Sequence, residues 1–315
     1  MSKANLNKGD NALKIEKLTK KYFLKSKSKT ITALNEVSFS INKGAMIALL
    51  GPNGAGKSTL INILAGITNK SSGKAVINGY DIEKNVNNAK LSIGVVPQEL
   101  VMDPYFTPRE TLNFQAGYYG VKKKSYITEV LLEKLSLEDK ADSYVRYLSG
   151  GMKRRLMIAK AMVHSPPILI LDEPTAGVDV NLRQILWDSI KELNRKGTTI
   201  LLTTHYLEEA ENLCKDVVMR DKGKIVIQGE IKKLLKNIDL KAINIYTENK
   251  IKKLPNELCN FGFSLKSEKC FFITYKPSKT SMEKVLNIIL QNNIIIKDIV
   301  TSEPSLEDLF NNLVE

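Results

Sequence analysis

Short apolar runs alternate with helix-like stretches along the first two thirds of the chain. The runs MIALL at 46–50 and ILIL at 168–171 are continuous and apolar, which is typical of strands buried on both faces of a parallel sheet. The stretch STLINILAG at 58–66 has apolar residues at helical spacing, whereas 14–48 alternates like short strands. The pattern predicts an α/β fold with a mainly parallel sheet and an N-terminal antiparallel β subdomain.

Two helical patterns, TPRETLNFQAGYY and SYITEVLLEKLSL, lie between residues 100 and 147. Thr107, followed by Pro108 and Glu110, predicts a helix that starts with a capping box. Five aromatic residues lie in this region, and we interpret most of them as core, with the first two as better candidates for an exposed groove. They are Tyr105, Phe106, Phe114, Tyr118 and Tyr119.

The pattern changes at about residue 236. AINIYT, CFFITYK and IIIKDIV resemble strands, and TSMEKVLNIILQ has helical spacing. Thr280 and Glu283 predict a capping box for that helix, and Ser305 predicts the cap of a final one. We expect 236–315 to form a small α+β module with a ferredoxin-like order of elements and no chemical constellation of its own.

A glycine-rich loop separates the first apolar run from the helical stretch. Residues 51–58 fit the pattern G-x-x-x-x-G-K-S. Glycines let backbone amides approach a ligand, and the following helix directs its positive end to the same place, which suits a phosphate. Lys57 is expected to reach the β- and γ-phosphates, and the Ser58 hydroxyl is expected to bind Mg²⁺. From this stretch alone, any P-loop ATPase or GTPase remains possible.

Two carboxylates follow the second buried run. Asp172 and Glu173 stand at the carboxyl end of the predicted strand, where ligands bind in open α/β sheets. Asp172 is placed to hold Mg²⁺, and Glu173 is placed to orient or deprotonate an attacking water.

A second glycine-containing helix start occurs at Ser149-Gly150-Gly151. One chain rarely needs two such sites for one nucleotide, so a dimer that encloses ATP between the first loop of one copy and the second loop of the other accounts for both.

Two further residues follow apolar runs. Gln98 could coordinate Mg²⁺ or the lytic water, and His205 could contact the γ-phosphate, but each carries little information alone.

Taken together and in order, these motifs resemble the ATPase subunit of an ABC transporter. In that family's terms, GPNGAGKST is the Walker A loop, LSGGMKRR the signature, LDEPTAGVD the Walker B motif with the D-loop, and TTHYLEEAE contains the H-switch. The resemblance covers roughly residues 14–235. Together the four stretches are similar to the bacterial exporter branch that pairs with a separate permease. The ending EPSLEDLF at 303–310 is similar to that branch too.

The resemblance implies a role for each motif residue. Glu173 would be the catalytic base, and His205 would hold the γ-phosphate with it. Ser58, Gln98 and Asp172 would serve the metal, and Asp179 would signal across the dimer. Ser149, Gly150 and Gly151 would close on the partner's ATP. The residues implied to bind ATP in the same chain are Tyr22, which would stack on adenine, and Gly51, Pro52, Asn53, Gly54, Ala55, Gly56, Lys57, Ser58 and Thr59.

The resemblance also implies an organisation and partners. Residues 14–235 would form the ABC ATPase domain, with a helical subdomain at about 100–160 whose aromatic residues are either core or the groove that receives a permease helix. Apart from the resemblance, we interpret residues 236–315 as an accessory module that stabilises the dimer or regulates it. ATP and Mg²⁺ would be the cofactors, and a homodimer would drive a separate integral-membrane permease. One position departs from the family pattern: Met152 stands where Gln is frequent, which puts any side-chain contact from that position in doubt.

Composition changes this interpretation little. Hydrophobic residues make up 43% of the chain and charged residues 26%, which is ordinary for a soluble protein. The three cysteines form no CxxC pair, so we expect buried thiols in a reducing compartment. The polar start and the lack of a long apolar run predict a protein that stays in the cytoplasm, peripheral on the membrane's cytoplasmic face.

The net charge of +13 leaves one alternative open. A soluble ABC-type ATPase that acts on nucleic acid or ribosomes would also be basic. Such proteins usually carry a second cassette, a long coiled coil or zinc-binding cysteines, and Lys57 and Ser149 are too close in sequence for an inserted coiled coil. The lysines are also spread along the chain, so we expect no nucleic-acid partner. An importer ATPase is disfavoured because the tail does not resemble an added β-barrel.

Overall fold

The computed structural model describes residues 11–24, 29–178, 180–292, 294–302 and 304–309. The chain divides into two compact units, Met1–Gly229 and Glu230–Glu315. The sequence pattern places the same kind of boundary between 235 and 236, a few residues later. No helix within the described ranges is long and apolar enough to cross a bilayer.

The N-terminal unit combines strands and helices in α/β order. Its strands are β1 (Asn11–Leu24), β2 (Lys29–Asn42), β3 (Met46–Leu50), β4 (Ser72–Ile77), β5 (Tyr80–Asp81), β6 (Ile93–Val96), β7 (Ile168–Asp172), β8 (Thr199–Thr204), β9 (Asp216–Asp221) and β10 (Lys224–Glu230). Its helices are α1 (Lys57–Leu64), α2 (Val86–Leu91), α3 (Pro108–Tyr118), α4 (Thr128–Lys134), α5 (Gly150–Met162), α6 (Val180–Arg195) and α7 (Leu207–Leu213), with 3₁₀ turns at Lys123–Ser125, Glu138–Lys140 and Val145–Tyr147.

Two sheets form this unit. The first is antiparallel, with the order β2-β1-β4-β5. The second has the order β10-β9-β3-β8-β7-β6, and its β9, β3, β8, β7 and β6 pair in parallel. Strands β3 and β8 are buried at every position, which is why β3 is a continuous apolar run and β8 has an apolar centre, Ile200–Leu202, between threonines. The predicted mainly parallel sheet and antiparallel N-terminal subdomain are confirmed.

The region between β6 and β7 is mainly helical. The predicted capping box at Thr107 is confirmed, because its hydroxyl accepts from the Glu110 amide at 3.2 Å and its own amide donates to the Glu110 carboxylate at 2.9 Å. The assignment of most aromatic residues here to the core is wrong for Phe114 and Tyr118, which are 53% and 87% exposed. Both occupy the outer side of α3, where Phe114 packs on Phe106 instead of entering the core.

The C-terminal unit has a ferredoxin-like order of elements. After α8 (Ile231–Lys236) come β11 (Lys241–Thr247), α9 (Asn256–Phe261), β12 (Ser264–Ser267), β13 (Cys270–Tyr275), α10 (Met282–Gln291) and β14 (Ile296–Ser302). The sheet order is β12-β13-β11-β14 with antiparallel pairing throughout, so the predicted arrangement is confirmed. Ile245, Phe271 and Ile273 of the sheet share a buried cluster with Leu258 of α9 and Val285 of α10.

The capping predictions in this unit have different outcomes. Helix α10 is capped by Ser281, whose hydroxyl accepts from the Lys284 amide at 3.2 Å, so the capping box predicted at Thr280 is wrong by one residue. The Ser305 cap is confirmed, since its hydroxyl accepts from the Asp308 amide at 3.3 Å.

Replacing Phe271 by Ala should destabilise the C-terminal unit by about 3–5 kcal/mol, because this ring is fully buried. Trp187, the single tryptophan, is buried in the N-terminal unit, so its fluorescence follows that unit, whereas far-UV circular dichroism follows both. In urea, the circular dichroism of Phe271→Ala should begin to change at a lower concentration than in the unsubstituted protein. The midpoint of the Trp187 fluorescence change should stay the same. Phe272→Ala, a change at the partly exposed neighbour, is the matched control and should have a smaller effect. Equal shifts of both signals in Phe271→Ala would contradict independent units.

Candidate functional site

The glycine loop connects β3 to α1, as the sequence predicts. Gly54 and Gly56 have φ angles of +83° and +86°, the left-handed conformation that disfavours side chains. A Cβ atom at Gly56 would lie 2.3 Å from the Ala33 carbonyl oxygen, so the loop is pressed against β2 as well. The close approach of these two backbones fixes where the first turn of α1 points.

Lys57 begins α1, and its side chain turns back over the loop. Its ammonium group donates to the carbonyl oxygens of Gly51 at 2.6 Å and Pro52 at 3.4 Å, and lies 3.9 Å from the Glu173 carboxylate. Burial lowers the pKa of Lys57, and the charges of Glu173 and Asp172 partly offset this effect. A cation is thus held at the loop by groups that a phosphate can replace.

Asp172 and Glu173 lie at the carboxyl end of β7. The Thr203 hydroxyl, on neighbouring β8, donates to the Asp172 carboxylate. Burial raises the pKa of Asp172, and this hydrogen bond opposes the increase. Glu173 has a φ of +46°, a strained conformation for a residue with a side chain, and its amide donates to the Thr203 carbonyl oxygen at 3.0 Å. The chain therefore leaves the strand direction at Glu173.

Glu173 is the centre of the polar contacts at this site. Its Oε2 atom accepts from Gln98 Nε2 at 3.0 Å and lies 3.1 Å from His205 Nδ1, while its Oε1 atom faces Lys57. The carboxylate is buried, whereas Gln98 and His205 are exposed. The structure thus brings together four residues that the sequence separates by up to 148 positions (205 − 57).

The Ser149-Gly150-Gly151 stretch occupies the start of α5. The Ser149 hydroxyl caps this helix by accepting from the Met152 amide at 3.3 Å. Ser149 and Gly150 are exposed, and Gly151 is buried beside Leu182, where an added Cβ would lie 3.0 Å from a Leu182 methyl carbon. The exposed turn therefore remains accessible to another molecule.

The remaining predicted residues occupy varied positions. Tyr22 is 37% exposed on β1, with the Lys20 ammonium 4.7 Å from its ring centroid. Ser58 is exposed in the first turn of α1, and Ala55 is buried within the loop. The prediction for Asp179 lies outside the described residues.

Several residues around the site were not identified from the sequence. Thr203 contacts both carboxylate residues, and Arg220 on β9 is fully buried beneath the glycine loop. The Arg220 guanidinium donates to the Gly223 carbonyl at 3.3 Å and lies 3.2 Å from the position of a Cβ at Gly56, and burial lowers its pKa to about 10. A charged residue directly after the apolar VVM of β9 was the signal that could have identified Arg220.

Comparison with known proteins agrees with this geometry. A family model described as ABC transporter matches residues 34–176. The Nod factor export ATP-binding protein I of Burkholderia pseudomallei (strain 1710b) is 41% identical over 229 residues, which are 72% of this chain and 75% of that protein. The protein of the same name from Rhizobium sp. (strain N33) is 36% identical over 286 residues, 88% of this chain and 90% of that protein. The dimeric structure of the ABC transporter cassette MJ0796 matches with a TM-score of 0.61 and 25% identity, covering 69% of this chain and 98% of that chain.

A glycine loop between a parallel strand and a helix, with a carboxylate pair at the end of another strand of the same sheet, defines a P-loop nucleoside triphosphatase. Within that class, the chain belongs to the ATP-binding proteins of ABC transporters. It is an ATP-binding cassette ATPase.

Gly56→Ala should destabilise the nucleotide-free protein more than Gly54→Ala does. Both changes put a side chain in the left-handed conformation, at about 1–2 kcal/mol, but a Cβ at Gly54 meets no atom within 4 Å. The contact with the Ala33 oxygen should add about 1–3 kcal/mol at Gly56. Urea unfolding followed by Trp187 fluorescence measures both values. Equal losses would show that the loop is not pressed on β2.

Proposed function

We propose that this chain is the ATP-hydrolysing subunit of an exporter and drives a separate integral-membrane permease. The observation that carries the proposal is the convergence of Lys57, Gln98 and His205 on the Glu173 carboxylate. Relatives that are named as export ATP-binding proteins, one of them matched over 88% of this chain, support the direction of transport. This site does not indicate which substrate is transported, because the permease would bind that substrate.

Within the site, each residue would act on a different part of ATP. Tyr22 would stack on adenine, and the loop from Gly51 to Thr59 would hold the phosphates with its amides. Lys57 would exchange its carbonyl partners in the loop for the β- and γ-phosphates. Glu173 would orient and deprotonate the attacking water, and His205 would hold the γ-phosphate beside it.

Mg²⁺ fits the donors that this site provides. The described residues contain no group of three or more His, Cys, Asp or Glu that could hold a metal alone. Mg²⁺ is usually bound by one or two carboxylates together with substrate phosphates and water. Ser58, Gln98 and Asp172 would supply the protein's share of this shell. When bound, Mg²⁺ would neutralise charge that develops on the phosphate oxygens.

Two copies would complete two sites. The exposed turn of Ser149 and Gly150 is at the start of a helix, where backbone amides favour anions. It is therefore suited to a phosphate of ATP bound by a second copy. ATP would thus favour the closed dimer because it contacts both chains only in that state. Hydrolysis of the γ-phosphate would then allow reopening. Asp179 would communicate between the two copies.

Replacing Glu173 by Gln should slow hydrolysis by about 10²–10⁴-fold, the usual contribution of a positioned base, without loss of ATP binding. The variant should accumulate as a dimer with ATP and Mg²⁺, measured by size-exclusion chromatography with light scattering. Lys57→Ala is the control, since it should lose nucleotide and stay monomeric. If Glu173→Gln stayed monomeric and hydrolysed ATP normally, Glu173 would not be the catalytic base and ATP would not drive dimer formation.

An aromatic surface on the helical region is the proposed permease-docking site. It consists of Tyr105, Phe106 and Phe114, which are 67%, 39% and 53% exposed. The Phe106 and Phe114 rings pack together with centroids 5.0 Å apart. Exposed aromatic clusters of this kind are enriched at protein interfaces, where they accept an apolar helix face. On this basis the protein would lie on the cytoplasmic face of the membrane.

Phe106→Glu should weaken binding to inverted membrane vesicles from the native cell by about tenfold or more, because a charge would be buried in the docking surface. Ile67→Glu, a change at an exposed apolar residue outside that surface, is the control and should bind normally. Flotation assays measure the bound fraction. Protease-treated vesicles and pure anionic lipid vesicles should not bind. Equal binding to lipid alone, or preferential binding to nucleic acid, would contradict the proposal that a permease is the partner.

A further inference from the structure

Arg154 is the fifth residue of α5, on its inner side, and only 2% of it is exposed. Its guanidinium group donates from Nη1 to the Pro97 carbonyl oxygen at 3.0 Å and from Nη2 to the Gln98 carbonyl oxygen at 2.9 Å. Two successive carbonyl oxygens are therefore held by one planar side chain. Such a paired contact fixes orientation as well as distance.

The backbone that Arg154 holds belongs to a functional residue. Strand β6 ends at Val96, so Pro97 and Gln98 have no strand or helix hydrogen bonds to fix them. The Gln98 side chain, in turn, donates to Glu173 at 3.0 Å. A continuous chain of hydrogen bonds therefore runs from α5 through Arg154 and Gln98 to the Glu173 carboxylate.

The environment of Arg154 argues against a role in stability alone. Burial lowers the pKa of this guanidinium, and the negative charges of Glu209 and Asp172 compensate only in part. Its Nε atom has no hydrogen-bond partner in the described part of the chain. A buried charge that is incompletely paired usually contributes little to stability compared with an apolar residue of similar volume.

We infer that Arg154 is a positioning residue that couples the Ser149–Gly151 turn to Gln98 and, through Gln98, to Glu173. The inference rests on the roles proposed above for these residues. Ser149–Gly151 would contact ATP held by the partner, whereas Gln98 and Glu173 would act on ATP in the same chain. A shift of α5 on closure would move the two carbonyl oxygens held by Arg154 and thereby set the Gln98 side chain against Glu173.

A double-mutant cycle tests this coupling. Arg154→Met should lower kcat by about 10–100-fold, as expected when a catalytic group is displaced by about 1 Å, and change KM for ATP by less than about threefold. In a Gln98→Ala background the same change should have little further effect on kcat, because the group that Arg154 positions is gone. Arg154→Lys, which can reach one carbonyl but lacks the planar fork, should restore part of the lost activity.

Arg155 provides a matched control on the same helix. Its Nη1 atom also donates to two successive carbonyl oxygens, those of Leu135 at 2.6 Å and Ser136 at 2.8 Å, which follow α4 and are not part of the Gln98 segment. Arg155→Met should therefore reduce stability without the selective loss of kcat. If Arg154→Met does not fold, Arg154→Lys and Arg154→Gln are measured in the same cycle. The outcome that overturns the inference is a multiplicative loss in the double variant, or a kcat for Arg154→Met equal to that for Arg155→Met.

A failure of the proposed function gives a different result. In that case Gln98→Ala and Glu173→Gln would each hydrolyse ATP at the wild-type rate, and the effect of replacing Arg154 would not alter this conclusion. This result would remove the residue through which Arg154 acts and overturn the inference with it. A failure confined to Arg154 would leave both of those variants inactive or slow.

Discussion

The arrangement of the site depends on the hydrogen bond between the Glu173 amide and the Thr203 carbonyl oxygen at 3.0 Å. This bond continues the parallel pairing of β7 and β8 by one residue, and Glu173 then turns into a left-handed conformation. The turn directs the carboxylate away from the strand and towards Lys57, Gln98 and His205. A strained residue of this kind persists only where its surroundings hold it, and here three polar side chains and a neighbouring strand do so.

Buried charge is the second constraint on this fold. Lys57, Asp172, Glu173, Arg154 and Arg220 are wholly or largely removed from solvent, and they lie in the unit that contains the glycine loop. Each would cost free energy if left unpaired, and the fully buried Arg220 retains two guanidinium nitrogens without a partner among the described residues. A core selected for stability alone would replace such groups with apolar residues. Their presence indicates that a preorganised arrangement of charges is maintained in this unit at the expense of stability.

Local patterns predicted much of the fold, because they depend on neighbours in the sequence. The run ILIL became β7, the glycine loop joined β3 to α1, and the Thr107 capping box formed as expected. The contacts of Arg154 and Arg220 could not be predicted, since they depend on which strands and helices become neighbours. Phe114 and Tyr118 have the spacing of core residues, but their exposure is decided by the packing of α3. Ser281 replaced Thr280 as a cap because helix boundaries are poorly determined by sequence.

Helix α5 connects the exposed turn at Ser149 to the backbone of Gln98. The Ser149 hydroxyl already caps its own helix, so in the dimer proposed above this turn would contact a ligand through backbone amides. The same helix grips the Gln98 backbone from within through Arg154. The exposed turn and the guanidinium group that holds Gln98 thus lie five residues apart, near the start of the same helix. Because a short helix moves as a unit, a ligand that shifted its start in the proposed dimer would also shift the two carbonyl oxygens that Arg154 holds.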